Sequence, residues 1–166
     1  MTDRAIFNRR YSSFTADSTE VYLLNGTSVT TSVSSSLSFI AGEDLSQGEA
    51  VYVSGTVVLK ASAASGVAPA VFNVVGVTSE SASAASSVNV ILDDTAILSS
   101  GNIIHETSLT PGQYYYLSNI PGKLTSSIPP SGITSSGGYV ASAVVGLALS
   151  TSELSVEIES PVVITS

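Results

Sequence analysis

His105 is the only imidazole in the chain, within Asn102-Ile103-Ile104-His105-Glu106. As a general base it would need an orienting acid and a nucleophile within reach. Glu106 is its immediate neighbour, and on a strand adjacent side chains point to opposite faces. His105 therefore reads as a surface or interface residue. Asp93-Asp94 and Glu43-Asp44 are paired carboxylates. Such pairs bind Ca²⁺ when carbonyl oxygens and a third acid converge, but the spacing of a calcium loop is missing. They read instead as solvated strand ends. A glycosidase needs two opposed carboxylates in a sugar cleft, and the aromatic platform usual there would lack Trp, which is absent. Ser is abundant, yet none lies in a Gly-x-Ser-x-Gly elbow. No phosphate-binding loop or dinucleotide fingerprint occurs. The expectation is no catalytic residue, no metal site, no cofactor and no small-molecule substrate.

Two other groups of residues suit contact rather than chemistry. Arg4, Phe7, Arg9, Arg10, Tyr11 and Phe14 crowd the first fourteen positions, and the three arginines are most of the five basic residues. One reading is a loose terminus. The other is an extended arm that docks on a partner, with aromatics as anchors and guanidinium groups as hydrogen-bonding clamps. The run Tyr114-Tyr115-Tyr116 would put Tyr115 on one face of a strand and its neighbours on the other. The outer face is then either a hydroxyl-tipped surface or an interface, since Tyr favours sites with one apolar and one wet side.

Composition narrows the class. The chain has 166 residues, a net charge of −8, no Cys and only 11 % charged residues. Zero Cys removes disulfide frameworks, thiol nucleophiles and Cys-rich metal sites. The acidic balance offers little to neutralise phosphates, so nucleic acid is not an expected partner. Ser and Thr supply 33 and 15 residues and replace charge on the surface. With 43 % apolar residues the chain is not disordered by composition. Met1-Thr2-Asp3-Arg4 shows no apolar signal core. The apolar-looking stretch 61–77 is broken by Ser62, Ser65, Gly66, Pro69, Asn73 and Gly76, so it is no membrane-spanning helix.

The elements that must hold these residues are strands. Glu20-Val21-Tyr22-Leu23-Leu24 runs into Asn25-Gly26, a favoured two-residue hairpin turn. Apolar and hydroxyl residues alternate over Thr27 to Ile40, the period of a half-buried strand. No stretch has helical periodicity. An internal repeat follows. Leu45-Ser46-Gln47-Gly48-Glu49-Ala50-Val51-Tyr52-Val53-Ser54 matches Leu109-Thr110-Pro111-Gly112-Gln113-Tyr114-Tyr115-Tyr116-Leu117-Ser118. Lys60 then answers Lys123, Val74-Val75-Gly76-Val77 answers Val144-Val145-Gly146-Leu147, and Val88-Asn89-Val90-Ile91-Leu92 answers Leu154-Ser155-Val156-Glu157-Ile158. The fold class is all-β: a small β-sandwich or barrel built from a duplicated three-strand unit, with an extended N-terminal arm. Residues 1–43 supply the arm and additional strands. Residues 44–166 form the β domain, with repeats at about 44–92 and 108–159. Three strands cannot bury both faces of their own sheet, so the two units must pack together. The segment Ser126–Gly138, with Pro129-Pro130, reads as a long loop.

The pattern Leu45 to Ser54, Lys60-Ala61, Val74-Val75-Gly76-Val77 and Val88-Asn89-Val90-Ile91 resembles small β-rich virion proteins of tailed bacteriophages. The nearest likeness is to capsid decoration (cement) proteins. Related β units also occur in phage tail and fibre proteins. The resemblance covers both repeats and carries no catalytic motif. It implies a structural virion protein on the outer capsid surface, bound to the major capsid protein, commonly as a homotrimer, that stabilises the shell. The alternatives are a phage tail, fibre or host-recognition component, or a non-viral extracellular β domain.

Overall fold

The structure, a computed structural model, describes residues 19–22, 28–31, 35–64, 67–104, 106–127 and 141–163. The chain divides into two compact units, 1–34 and 35–166. In the first, β1 (Thr19–Tyr22) and β2 (Ser28–Thr31) pair antiparallel, Val21 against Val29 and Tyr22 against Ser28. A two-residue Asn25-Gly26 turn would pair residue 24 with 27. The observed register differs from that by one residue.

In the second unit, β3 (Ser36–Ala41), β4 (Ala50–Ser54), β5 (Val57–Lys60), β6 (Gly76–Thr78) and β7 (Ser87–Ile91) close into a barrel in the order β3-β5-β4-β6-β7. Next come β8 (Thr95–Ile97), β9 (Tyr114–Leu117), β10 (Leu124–Thr125), β11 (Ala141–Ser142), β12 (Val144–Ala148), β13 (Glu153–Val156) and β14 (Val162–Val163). Five of these form a sheet in the order β10-β9-β12-β13-β8, while β11 pairs with β14. The all-β class read from alternation is what the chain adopts.

The repeat is visible in the connectivity. Reading the barrel as β5-β4-β6-β7-β3 gives the sheet order β10-β9-β12-β13-β8 strand for strand. The barrel closes where β3 lies parallel to β5, Ala41 opposite Val58. At the same place in the second half a parallel bridge joins Ile103 to Leu124. The turn bonds repeat as well. Gly48 donates to the Thr78 carbonyl and Gly112 to the Ala148 carbonyl, at 2.9 and 2.8 Å. Leu45 donates to Ala82 and Leu109 to Thr151. The three repeated strands are thus part of a five-strand unit. A fourth strand, β5 or β10, follows the turn after β4 or β9, and a fifth, β3 or β8, precedes the repeat read from sequence.

Register corrects two of the correspondences. Val90 stands opposite Thr78, and Leu154 opposite Ala148, so Leu154 matches Val90 and not Val88. A two-residue slip keeps every side chain on its own face and leaves no trace in an alternating pattern. Likewise Val53 pairs with Val58 and Leu117 with Leu124, which makes Ser126, not Lys123, the counterpart of Lys60.

Alternation sends one face of each strand inward. Ala41, Leu45, Val51, Val58, Val88 and Val90 fill the first barrel. In the second half Leu109, Tyr115, Leu124 and Leu154 take the places of Leu45, Val51, Val58 and Val90, and they belong to a larger cluster that also includes Ala50, Ala61, Phe72 and Val77 of the first half. Gly76 and Gly146 occupy equivalent sites where a strand crosses close to its neighbour. A methyl on either would overlap a backbone carbonyl, of Ile91 or Ser155. Since backbone cannot yield as a side-chain tip can, Gly146→Ala should destabilise the chain by about 1–3 kcal/mol or more in urea denaturation. Gly101→Ala, where the nearest side-chain atom is 3.7 Å away, should be near neutral by comparison.

Candidate interaction surface

Of the carboxylates that invited a chemical reading, Glu43, Asp44 and Asp94 are bound to backbone. Glu43 accepts the Lys60 N–H at 2.8 Å, and Asp44 accepts the Ala84 N–H at 2.9 Å. Asp94 accepts its neighbour Thr95 N–H at 2.7 Å and the Ser35 hydroxyl at 2.9 Å. Those bonds, the backbone one foremost, hold its carboxyl below the usual range. Among the described residues no three His, Asp or Glu side chains converge as metal ligands would. His105 lies outside the described residues, as do positions 128–138 of the segment Ser126–Gly138 expected to be a loop. Arg4, Phe7, Arg9, Arg10, Tyr11 and Phe14 also lie outside them.

Tyr115 points into the second half's core and is fully buried. Its hydroxyl donates to Glu106 Oε2 at 2.6 Å and accepts the Thr110 N–H at 3.0 Å. Ser126 Oγ hydrogen-bonds the other oxygen of Glu106. Burial, then the bond to Glu106, pushes the phenol's pKa up. That is the wrong direction for a base, and solvent does not reach the oxygen. The cluster instead ties β9 to the segments before and after it.

The halves meet around Glu49, whose side chain is only 4 % exposed. Its position follows from the Gly48 turn. The Glu49 N–H donates to buried Thr78 Oγ1 at 3.0 Å, and Thr78 Oγ1 donates to the Ser46 carbonyl at 2.6 Å. One carboxylate oxygen accepts the Ser46 N–H at 2.9 Å and pairs with Lys60 Nζ at 3.3 Å. The other pairs with Lys123 Nζ from the second half at 3.4 Å. Both lysines of the second unit therefore serve one acid. Around it the backbone of the second half docks on the first: Ala50 N–H to the Gly122 carbonyl at 3.1 Å, Gly122 N–H to Ala61 at 2.8 Å, and Ala63 N–H to Ser118 at 2.9 Å. Asn102, oriented by Ser99, donates to the Gln47 carbonyl at 2.8 Å and lies where a Cβ on Gly48 would sit. Sequence reading paired Lys60 with Lys123 as repeats and missed their common acid. Glu49 and Asn102 carried no signal beyond being polar residues next to turns.

The outer face of the second half carries apolar side chains beside Ser155 and Thr95, which stand in line with Leu147. Tyr114 and Leu147 face each other across β9 and β12, and Tyr114 is 44 % exposed. Leu149 and Ile97, exposed as well, both hydrogen-bond or pair with Glu153. Tyr114 and Tyr116 thus lie opposite Tyr115, as the run of three predicts. No family model fits the chain, and no curated protein aligns with it significantly.

Two predictions follow from this geometry. Lys60→Met or Lys123→Met alone leaves Glu49 one cation and should cost about 1 kcal/mol or less. The double variant strands a buried carboxylate and should cost about 3–5 kcal/mol, well above the sum, in urea denaturation. Tyr115 has its folded pKa raised above the unfolded value near 10.0, so its contribution is complete below pH 10 and disappears as pH climbs through the folded value. The urea midpoint should fall above that pH, and Tyr115→Phe, less stable at neutral pH, should show a shallower fall.

Proposed function

We propose that this chain is a structural virion protein of a tailed bacteriophage, a decoration protein that binds the outer capsid surface as a homotrimer and stabilises the shell. The observation that carries this reading is the use made of reactive side chains. Glu43, Asp44, Glu49, Asp94, Glu106 and Tyr115 all hold backbone or core in place, while large apolar side chains, Tyr114, Leu149, Ile97 and Ile40 among them, are left open on the surface. A surface of that kind suits lasting contact with other polypeptides. A protein that binds the assembled shell but not its free subunits raises the shell's resistance to heat by mass action. The arm, through Arg4, Phe7, Arg9, Arg10, Tyr11 and Phe14, grips the major capsid protein or a neighbouring copy.

The test is deletion of residues 1–14. The shortened chain should keep the circular dichroism of the full one and lose co-sedimentation with shells stripped of this protein. Unchanged saturation of those shells would sink the assignment. Copy number on purified particles separates the nearest alternative: hundreds of copies on the shell fit decoration, whereas a handful at the tail fits a fibre or host-recognition component.

A further inference from the structure

The two halves expose opposite parts of one junction. The receiving side of the junction within the chain is Gly48, Glu49 and Ala50 of the first half, with Ala50 0 % exposed. The counterparts in the second half are Gly112, Gln113 and Tyr114, all exposed. The inserting side is the β9–β10 turn with Leu117 at its root and Asn102 beside it, 0 % and 3 % exposed. Their counterparts in the first half, by strand register, are the Gly55-Thr56 turn with Val53 at its root and Ile40 beside it. Val53 is 39 % and Ile40 45 % exposed. What the first half covers, the second leaves open, and the reverse.

We infer that the second half of one copy receives the first half of another, in the way that the first half receives the second within the chain. The occupant is a second copy of this chain, because only a copy carries the matching end. Side-chain size fits an open site awaiting cover: Ala50 and Val77 become Tyr114 and Leu147. The Glu49 clamp is not repeated, since Gln113 is neutral and Ser126 stands where Lys60 would. The contact between copies is therefore apolar, with the tyrosine ring as its anchor. It is also heterologous, and such contacts form rings when the rotation closes. In a trimer it gives six halves around one axis, three junctions within chains and three between. This supplies the interface of the oligomer proposed above, but it rests on the duplication and not on the role at the shell.

Sedimentation of the full chain tests it. The wild type should be a closed oligomer at concentrations up to about 100 μM. Ile40→Asp and Tyr114→Glu, each shown folded by circular dichroism, should fall to the monomer mass of 16.8 kDa. Mixed together they keep one sound junction, Tyr114 of the first against Ile40 of the second, and should form a one-to-one dimer and nothing larger. A monomeric wild type over that range, a folded variant of either kind that keeps the wild-type mass, or a mixture that stays monomeric would each overturn the inference. Deleting residues 1–14 should leave the oligomer intact, so failure at the shell and failure between copies are told apart.

Discussion

The body of this protein depends on one buried carboxylate with a cation on either side. Glu49 is too deeply placed to be left without partners, and the only lysines beyond residue 34 are the two that meet it. One comes from its own half and one from the other. The carboxylate therefore fixes not only the Gly48 turn, through Ser46 and Thr78, but the docking of the second half against it. Hydrophobic burial supplies most of the driving force between the halves, through Ala50, Val77, Phe72 and Leu117. Burial alone is indifferent to small slides. The charge pairs and the backbone bonds at Gly122 and Asn102 single out one register.

Duplication makes that junction asymmetric. Each half is the same five-strand unit, so each carries both a receiving and an inserting surface. A chain of two halves can satisfy one of each, and the unused pair must face water or another molecule. The sequence has diverged along that division. Where cover is present the residues are small or paired, Ala50 and Glu49. Where it is absent they are neutral or aromatic, Gln113 and Tyr114. Tyr tolerates such a position because its ring can be buried while its hydroxyl stays solvated.

Much of this was legible in the residues. Alternation of apolar and hydroxyl side chains gave the strands, and the matching Gly48 and Gly112, then Gly76 and Gly146, gave the duplication. Those glycines stand out because a side chain there meets backbone or adopts a disfavoured φ. Three things were hidden. The fifth strand of each unit, β3 or β8, precedes the repeated motif and shares no residues with its counterpart that a comparison could catch. The two-residue slip at Val90 and Leu154 preserves facing, so pattern cannot detect it. Lys60 and Lys123 looked equivalent because both follow a strand, but six residues, 118–123, separate Leu117 from its partner Leu124, against four, 54–57, between Val53 and Val58, which puts them at different registers. Their meeting at Glu49 is a product of three dimensions. The arm's aromatic and basic residues are legible as composition only.

Low charge then acquires a structural sense. Beyond residue 34 there are ten acids and two lysines, and both lysines are engaged internally. Two such bodies repel at long range, screened within about 8 Å at physiological salt. Contact between them cannot rest on exchanged salt bridges, because neither has a free cation among the described residues to offer. It must rest on apolar area and hydroxyl hydrogen bonds, both of which act only at close approach. An acidic body studded with Ser and Thr therefore resists casual aggregation, yet admits contact where shape fits. The same arithmetic gives the three arginines of the first ten residues a distinct place: they are the chain's only remaining cations, and any acidic surface that this protein grips electrostatically must be gripped through them.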